Sequence, residues 1–354
     1  MASGKLRNLS IRGIICALPD NKVLTVSREN VFGKETVDKI IESTGITSTY
    51  RVLPRQTASD LCFHAAENLI KKLNWNKEDI GILIFTSHAP DYKRPATACV
   101  LQGRLGFSQD CMAFDIGLGC SGFVYGMSVI GSIMQNPDIK KGLLLMGDMS
   151  SVSTDPDTTN NLLFGDCGAA VAIERNEECE DIDFLLKTDG TRYQSLLAVG
   201  GGYRHQNNHN DYCYMDGNNV FSFSISDVVK TIKEFMDSWD ICTEDIDMLA
   251  LHQANSLIMK NIAKKCKISL DKVPISINHY GNTSSSSIPL AIVDSLLRNN
   301  IQKKEKYRVI ASGYGLGLSW GVMNFVLESS MKVGMLYTKT YFDDGHYGEG
   351  EENV

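Results

Sequence analysis

The chain lacks the features that would assign it quickly. No run of about 18 consecutive apolar residues occurs, so no segment has the make-up of a membrane-spanning helix. The opening Met1-Ala-Ser-Gly-Lys-Leu-Arg has no apolar stretch of the kind a secretory signal needs. Positive charge is in deficit, with 35 Lys and Arg against 42 Asp and Glu and a net charge of −7. That disfavours nonspecific binding to nucleic acid or anionic membrane, both of which need a basic field. The ten cysteines include no Cys-x2-Cys pair, which removes zinc ribbons and thioredoxin-like motifs. Without a secretory signal they read as buried small hydrophobes in a reducing cytosol rather than a disulfide framework. No Gly-Lys-Ser/Thr phosphate loop is present, and no metal or redox cofactor is implied. What remains is a soluble, intracellular chain of 354 residues, 43% apolar and 22% charged, long enough for one large or two medium domains.

Strands alternate with helices from end to end. Ile80-Gly-Ile-Leu-Ile-Phe-Thr and Gly142-Leu-Leu-Leu-Met are continuous apolar runs, as expected of strands covered on both faces. Helical patterns lie over 58–73, 121–135, 228–239, 256–265 and 288–299. The chain also resembles itself. Lys77-Glu-Asp-Ile-Gly-Ile-Leu-Ile-Phe-Thr-Ser-His corresponds to Thr243-Glu-Asp-Ile-Asp-Met-Leu-Ala-Leu-His-Gln-Ala at an offset of 166 residues. At the same offset the strand, turn and helix around Cys120 fall on the segment around Ser286, and 142–147 falls on 308–313. Gly168-Ala-Ala-Val-Ala-Ile answers Gly321-Val-Met-Asn-Phe-Val at a shorter spacing. Two copies of one α/β unit follow, residues 1–180 and 181–328, with 329–354 read as a polar C-terminal tail.

Four motifs carry chemistry. In Phe114-Asp-Ile-Gly-Leu-Gly-Cys120-Ser-Gly-Phe a strand ends at a glycine-flanked turn, and a cysteine stands at the start of an apolar helix. Free N–H groups and partial positive charge there favour a thiolate, making Cys120 a candidate nucleophile. A small residue packed at a strand–helix junction would look similar. Leu249-Ala-Leu-His252-Gln-Ala-Asn255 sets a histidine directly after a buried strand, where a structural role is the commoner one. His88 follows the matching strand of the first half. Asn278-His-Tyr-Gly-Asn282-Thr-Ser-Ser stands at the turn matching that of the cysteine; it reads either as a helix cap or as an amide aimed into a shared cleft. Ser312-Gly-Tyr-Gly-Leu-Gly-Leu-Ser-Trp-Gly is a glycine-rich turn between strands, a bulge or a set of N–H donors for an oxyanion.

Together, Gly-Cys-Ser-Gly-Phe, His-Gln-Ala-Asn, Gly-Asn-Thr-Ser and Gly-x-Gly-x-Ser-Trp-Gly, with Thr44-Gly-Ile and Phe164-Gly-Asp-Cys-Gly-Ala-Ala, resemble the ketoacyl-acyl carrier protein synthase III family of the thiolase superfamily over residues 9–327. The resemblance implies a five-layered αβαβα sandwich of two similar halves, which agrees with the internal repeat. It implies Cys120 as the acyl-accepting nucleophile, His252 and Asn282 as its partners, and backbone N–H groups of Cys120 and Leu316 as the oxyanion hole. The implied reaction is a decarboxylative condensation of the acyl group with a malonyl thioester on acyl carrier protein. It needs no cofactor beyond coenzyme A or carrier thioesters, and a cytoplasmic homodimer is expected.

The entrance departs from the family pattern. Lys39 stands where acetyl-CoA-using members carry tryptophan, Ser43 where they carry arginine, and Thr158-Thr-Asn-Asn has no arginine. This points the first half-reaction toward a carrier-bound acyl group or an unusual acyl-CoA. Lys39, Asn255 and Tyr314 are the entrance candidates. Lys260, Lys264 and Lys265, with Lys267 at the helix exit, read either as a solvated face or as a docking site for acidic acyl carrier protein. Ala89-Pro-Asp-Tyr-Lys-Arg-Pro, where members floor the acyl pocket across the dimer, is unusually polar. Two further readings are a thiolase-fold acyltransferase acting without decarboxylation and a non-catalytic partner subunit, which would ordinarily have lost the nucleophile.

Overall fold

The computed structural model describes residues 2–205, 207–208 and 210–346. Its first sheet has six strands in the order Lys332–Thr338, Leu9–Pro19, Cys167–Arg175, Lys141–Asp148, Ile80–Thr86, Met112–Ile116. The second has five, in the order Ala2–Leu6, Ile182–Thr188, Ser319–Glu328, Lys306–Gly315, Met248–Leu251. Parallel pairing holds Ile80–Thr86 between Lys141–Asp148 and Met112–Ile116, and Met248–Leu251 beside Lys306–Gly315. The last strand of each repeat returns antiparallel.

The apolar runs are explained by burial on both faces. Along Ile80–Thr86, Ile82 and Ile84 join the core between the sheets, while Leu83 and Phe85 join an outer core. Lys141–Asp148 divides in the same way, with Leu144 and Met146 inside and Leu143 and Leu145 outside. In the second sheet Met248 and Ala250 point inward and Leu249 and Leu251 outward. A period of two on a continuous apolar run therefore serves two cores at once. Helices Gly122–Ile133 and Ser287–Arg298 fill the layer between the sheets. Ala58–Leu73 covers the outer face of the first sheet, and Val229–Ser238 with Ser256–Cys266 covers the second. The layers are α/β/α/β/α, as the family resemblance implies.

Local chemistry sets the helix ends. Ala58–Leu73 opens on a capping box of Thr57 with Asp60 and closes on Asn74 at φ 53°; such a cap contributes about 1 kcal/mol. Gly131 of the central helix meets the Leu6 side chain of the second sheet, where an added Cβ would lie 2.3 Å from Leu6 Cδ1.

The structure corrects two expectations. The segment at the repeat position of strand Met112–Ile116 is not a strand: Ile277–Tyr280 forms one helical turn ending at Gly281, φ 71°. Its carbonyls are taken up by the first half, Asn278 O by Thr47 N–H and His279 O by the Ser48 hydroxyl, so the backbone has no edge left to offer a sheet. Nor is everything after Ser329 a tail. Lys332–Thr338 pairs with Gly13–Pro19 as an edge of the first sheet, because Met335 and Val333 pack on the inner core. Beyond it Phe342 lies 4.4 Å over the Arg104 guanidinium. Residues 347–354 of the expected tail lie outside the described residues. The N-terminal strand Ala2–Leu6 likewise joins the second sheet, so each half borrows a terminal strand from the other end of the chain.

Truncation after Met331 should expose the hydrogen-bonding edge of Leu9–Pro19. A fall in Tm of at least about 5 °C, with increased light scattering on heating, is expected; an unchanged calorimetric transition would show the strand to be dispensable.

Candidate active site

Cys120 stands two residues ahead of the first residue of helix Gly122–Ile133. A tight turn closed by Gly122 N–H donating to Gly119 O, 2.6 Å, sets it there. The glycine-rich turn of the second half comes directly against it. A Cβ on Gly315 would lie 2.6 Å from Cys120 Cβ and 3.2 Å from its Sγ, so only glycine allows the approach. That turn is fixed by Ser319, whose hydroxyl bonds Leu316 O at 2.6 Å and Ser121 Oγ at 2.7 Å. Ser284 Oγ lies 3.7 Å from Cys120 Sγ. Burial pushes the thiol up to about 12, opposed by the Ser284 hydrogen bond and by the positive end of the helix.

Gly117-Leu-Gly119-Cys120-Ser-Gly122 also has the Gly-x-Gly-x-x-Gly spacing of a dinucleotide turn, between a strand and a helix, which corrects the expectation that the chain holds no such turn. The spacing serves packing here. Cβ atoms on Gly119 and Gly122 would lie 2.2 Å from the His88 ring and 2.6 Å from the Thr86 methyl, so side chains fill the place of a pyrophosphate.

His252 follows strand Met248–Leu251, and its N–H continues the ladder to Ser312 O at 2.9 Å. The side chain is buried, with Nδ1 2.8 Å from Ser287 Oγ. Tyr314 stands edge-on to the ring at 5.3 Å and donates its hydroxyl to His252 O. Burial lowers the imidazole to about 3, with only a hydrogen bond to the Ser284 backbone opposing it, so the ring is neutral at physiological pH. Asn282 is held by a parallel bridge to Phe164, and its Oδ1 accepts Ser284 N–H at 2.9 Å. With the oxygen engaged, the NH2 end is left as the donor.

Cys120, His252 and Asn282 line one cavity of about 530 Å³. Gly315 and Leu316 line it too, as do Asn255 and Tyr314. Asn255 also caps helix Ser256–Cys266 by accepting Ile258 N–H. Tyr314 is buried beneath the His252 ring, so it belongs to the inner wall and not to an entrance. Lys39 does not line the cavity; it is exposed on its helix and paired with Glu35, which overturns its entrance reading. Lys260, Lys264 and Lys265 are exposed on helix Ser256–Cys266, with Lys265 Nζ bonded to Ile225 O.

Sequence reasoning missed three groups. Asp148 at the end of strand Lys141–Asp148 accepts Ser87 Oγ–H, His88 N–H and, from the other half, Ser285 N–H. The repeat held the signal, since Asp148 is the counterpart of Tyr314 at the 166-residue offset. Ser284 and Ser287 are partners of the cysteine and histidine; within a serine run nothing singled them out. An inserted hairpin, Leu196–Ala198 against Cys213–Met215, with Phe221 and Phe223 beyond it, supplies an apolar wall.

Two sandwiched halves with a cysteine, an imidazole and a carboxamide converging at their boundary make the architecture of the thiolase-like condensing enzymes. Comparison with known proteins agrees. Residues 114–190 match the 3-oxoacyl-[acyl-carrier-protein] synthase III family model, and residues 236–327 match its C-terminal model. The β-ketoacyl-[acyl-carrier-protein] synthase III of Alkalilimnicola ehrlichii is 33% identical over 310 residues, covering 86% of this chain and 94% of that protein. The Streptococcus sanguinis protein of the same name is 32% identical, covering 82% of this chain and 90% of that protein. The crystal structure of a 3-oxoacyl-(acyl-carrier protein) synthase from Burkholderia xenovorans LB400 superposes with a TM-score of 0.90 at 30% identity, covering 95% of this chain and 99% of that one. The chain belongs to the 3-oxoacyl-[acyl-carrier-protein] synthase III family, and it is an acyltransferase of the condensing type.

The depressed His252 titration has a consequence for stability. The folded state keeps the ring unprotonated down to about pH 3, whereas the unfolded chain takes up a proton near pH 6.5. Its contribution is therefore intact above about pH 6.5 and lost as pH falls toward 3, by up to roughly 5 kcal/mol. His252→Gln should flatten the stability–pH curve in that window, as read by urea midpoints; an unchanged slope would contradict a neutral buried ring.

Proposed function

We propose that the protein condenses an acyl group held on Cys120 with the malonyl thioester of acyl carrier protein, releasing CO2 and forming a 3-oxoacyl thioester. The observation that carries the reading is the convergence of Cys120, His252 and Asn282 on one cavity at the boundary of the halves. In the first half-reaction the sulfur of Cys120 attacks the donor thioester, and N–H groups of Cys120 and Leu316 receive the oxyanion. A donor of that kind is worth roughly 3–4 kcal/mol. In the second, the malonyl thioester oxygen accepts hydrogen bonds from His252 and the Asn282 NH2. Loss of CO2 leaves charge on that oxygen, so both donors bind the transition state more tightly than the substrate. The carbanion then attacks the acyl carbon and expels the Cys120 thiolate. A neutral imidazole suits this chemistry, since decarboxylation requires no proton abstraction from carbon. No cofactor enters.

Cys120→Ala should abolish the acyl-enzyme mass adduct. Asn282→Ala should keep acylation and lose malonyl decarboxylation by about 10²–10³-fold, read as CO2 release. Acylation persisting in Cys120→Ala would refute the assignment.

The partner reading is a cytoplasmic homodimer served by an acidic carrier protein docking at Lys260, Lys264 and Lys265. These side chains lie on the helix that begins four residues after His252, exposed beside Leu257. Lys264→Glu with Lys260→Glu should raise KM for the carrier-bound substrate about tenfold and leave small thioester mimics unaffected. Equal effects on both would refute docking.

A further inference from the structure

The repeat that delivers His252 also delivers a second imidazole. The 166-residue offset pairs His252 with Thr86 and sets His88 two residues further on, beyond the end of strand Ile80–Thr86. That difference decides their environments: His252 is 2% exposed, whereas His88 is open and lines the cavity. Its position is fixed by His88 N–H donating to Asp148 Oδ1 at 2.7 Å.

The His88 ring lies over the turn that presents the nucleophile. A Cβ on Gly119 would be 2.2 Å from His88 Cδ2, 2.3 Å from its Nε2 and 2.7 Å from Ser284 Oγ. The imidazole and the hydroxyl thus crowd one point beside Cys120, and the same hydroxyl is 3.7 Å from Cys120 Sγ. Ser284 is held with φ at 52°, a left-handed backbone that a serine seldom adopts, and its N–H is tied to Asn282 Oδ1. The two imidazoles are thereby separated by role. His252 is packed against Ser287 and Tyr314; the Ser284 hydroxyl stands on the cysteine sulfur and the His88 ring on the adjoining Gly119.

We propose that His88, acting through the Ser284 hydroxyl, is the proton acceptor for Cys120 in the acyl-transfer half-reaction. In that step Cys120 S–H passes its proton to Ser284 Oγ as the Ser284 hydroxyl proton moves to the imidazole. The sulfur forms its bond to the thioester carbonyl, and on collapse the bond to the donor's sulfur breaks. His88 returns the proton to the departing thiolate, so the site ends in its starting protonation state with the acyl group on Cys120. His252 is engaged elsewhere, with Nδ1 on the Ser287 hydroxyl and its ring edge-on to Tyr314, and burial disfavours its protonated form. Among the described residues, the titratable groups sharing the cavity with His88 are Cys120, Asp148, Asp211, Cys213, His252 and Tyr314. Of these Asp148 touches its backbone and Cys120 is its target.

The inference rests on Cys120 being the acylated residue, and the test separates the two. Acylation by a short acyl N-acetylcysteamine thioester is followed by rapid quench and intact mass from about pH 5 to pH 8, a range in which histidine titrates. Absence of a Cys120 adduct in the unmodified protein would remove the underlying reading. Given that adduct, His88→Gln, which retains side-chain bulk over Gly119 without a titrating ring, should acylate about 10²-fold more slowly. It should also lose the rise of rate with pH, and Ser284→Ala should behave alike. Malonyl decarboxylation by the acylated His88→Gln enzyme, once formed, should remain near the unmodified rate. His88→Gln acylating at the unmodified rate with an unchanged pH profile would overturn the proposal. So would a loss confined to His88→Ala, which would mark the ring as a filler of space.

Discussion

One buried carboxylate ties the site together. Asp148 receives N–H and O–H donors from the loop after strand Ile80–Thr86 and, on its second oxygen, the Ser285 N–H of the opposite half. It ends a central strand of the first sheet and so cannot shift without moving that sheet. The Asn282–Ser285 turn is thereby locked to the frame that carries Cys120. A carboxylate accepting several hydrogen bonds in a buried place is strongly oriented. The same bonding explains why the serine run reaches the cavity backbone-first instead of simply capping helix Ser287–Arg298.

Around that anchor, close backbone approach does what side chains do elsewhere. Gly119 admits the His88 ring, Gly315 admits the cysteine, and Gly313 lies against the Cys120 carbonyl at a spacing no Cβ permits. The two central helices both lie between the sheets, and each packs against the short turn Ser284–Ser286 that joins the two sides of the site. The cavity is lined from both halves. The first half supplies the turn between strand Met112–Ile116 and helix Gly122–Ile133, and the second the turn between the helical turn Ile277–Tyr280 and helix Ser287–Arg298. The inserted hairpin then closes the wall with apolar surface, which shelters the chemistry from water.

Much of this was legible in advance. The helices at 58–73 and 256–266 begin at their expected residues, because Thr57 and Asn255 are capping residues with chemistry readable in one dimension. The strands buried on both faces were legible as apolar runs, and the halves as an offset repeat. Cys120 could be named from its glycine-flanked turn at a helix start and His252 from its place directly after a buried strand, while Asn282 and the roles of all three came with the family resemblance. The errors fell where distant partners decide. Ile277–Tyr280 has the repeat position of a strand, yet its carbonyls are claimed by Thr47 and Ser48. Lys332–Thr338 looks polar because an edge strand buries only part of its surface.

The sequence by itself determined the class of fold and singled out Cys120, His252 and Asn282 as the residues to look for, because periodicity, glycine placement and residue chemistry are local properties. Only the tertiary structure decided that Tyr314 is an inner wall, that Lys39 faces solvent, that each half takes its edge strand from the far terminus, and that the Ser284 hydroxyl stands on the cysteine with the His88 ring beside Gly119. Those outcomes depend on which surfaces are desolvated and which backbone groups find partners hundreds of residues away. A one-dimensional pattern carries no record of either.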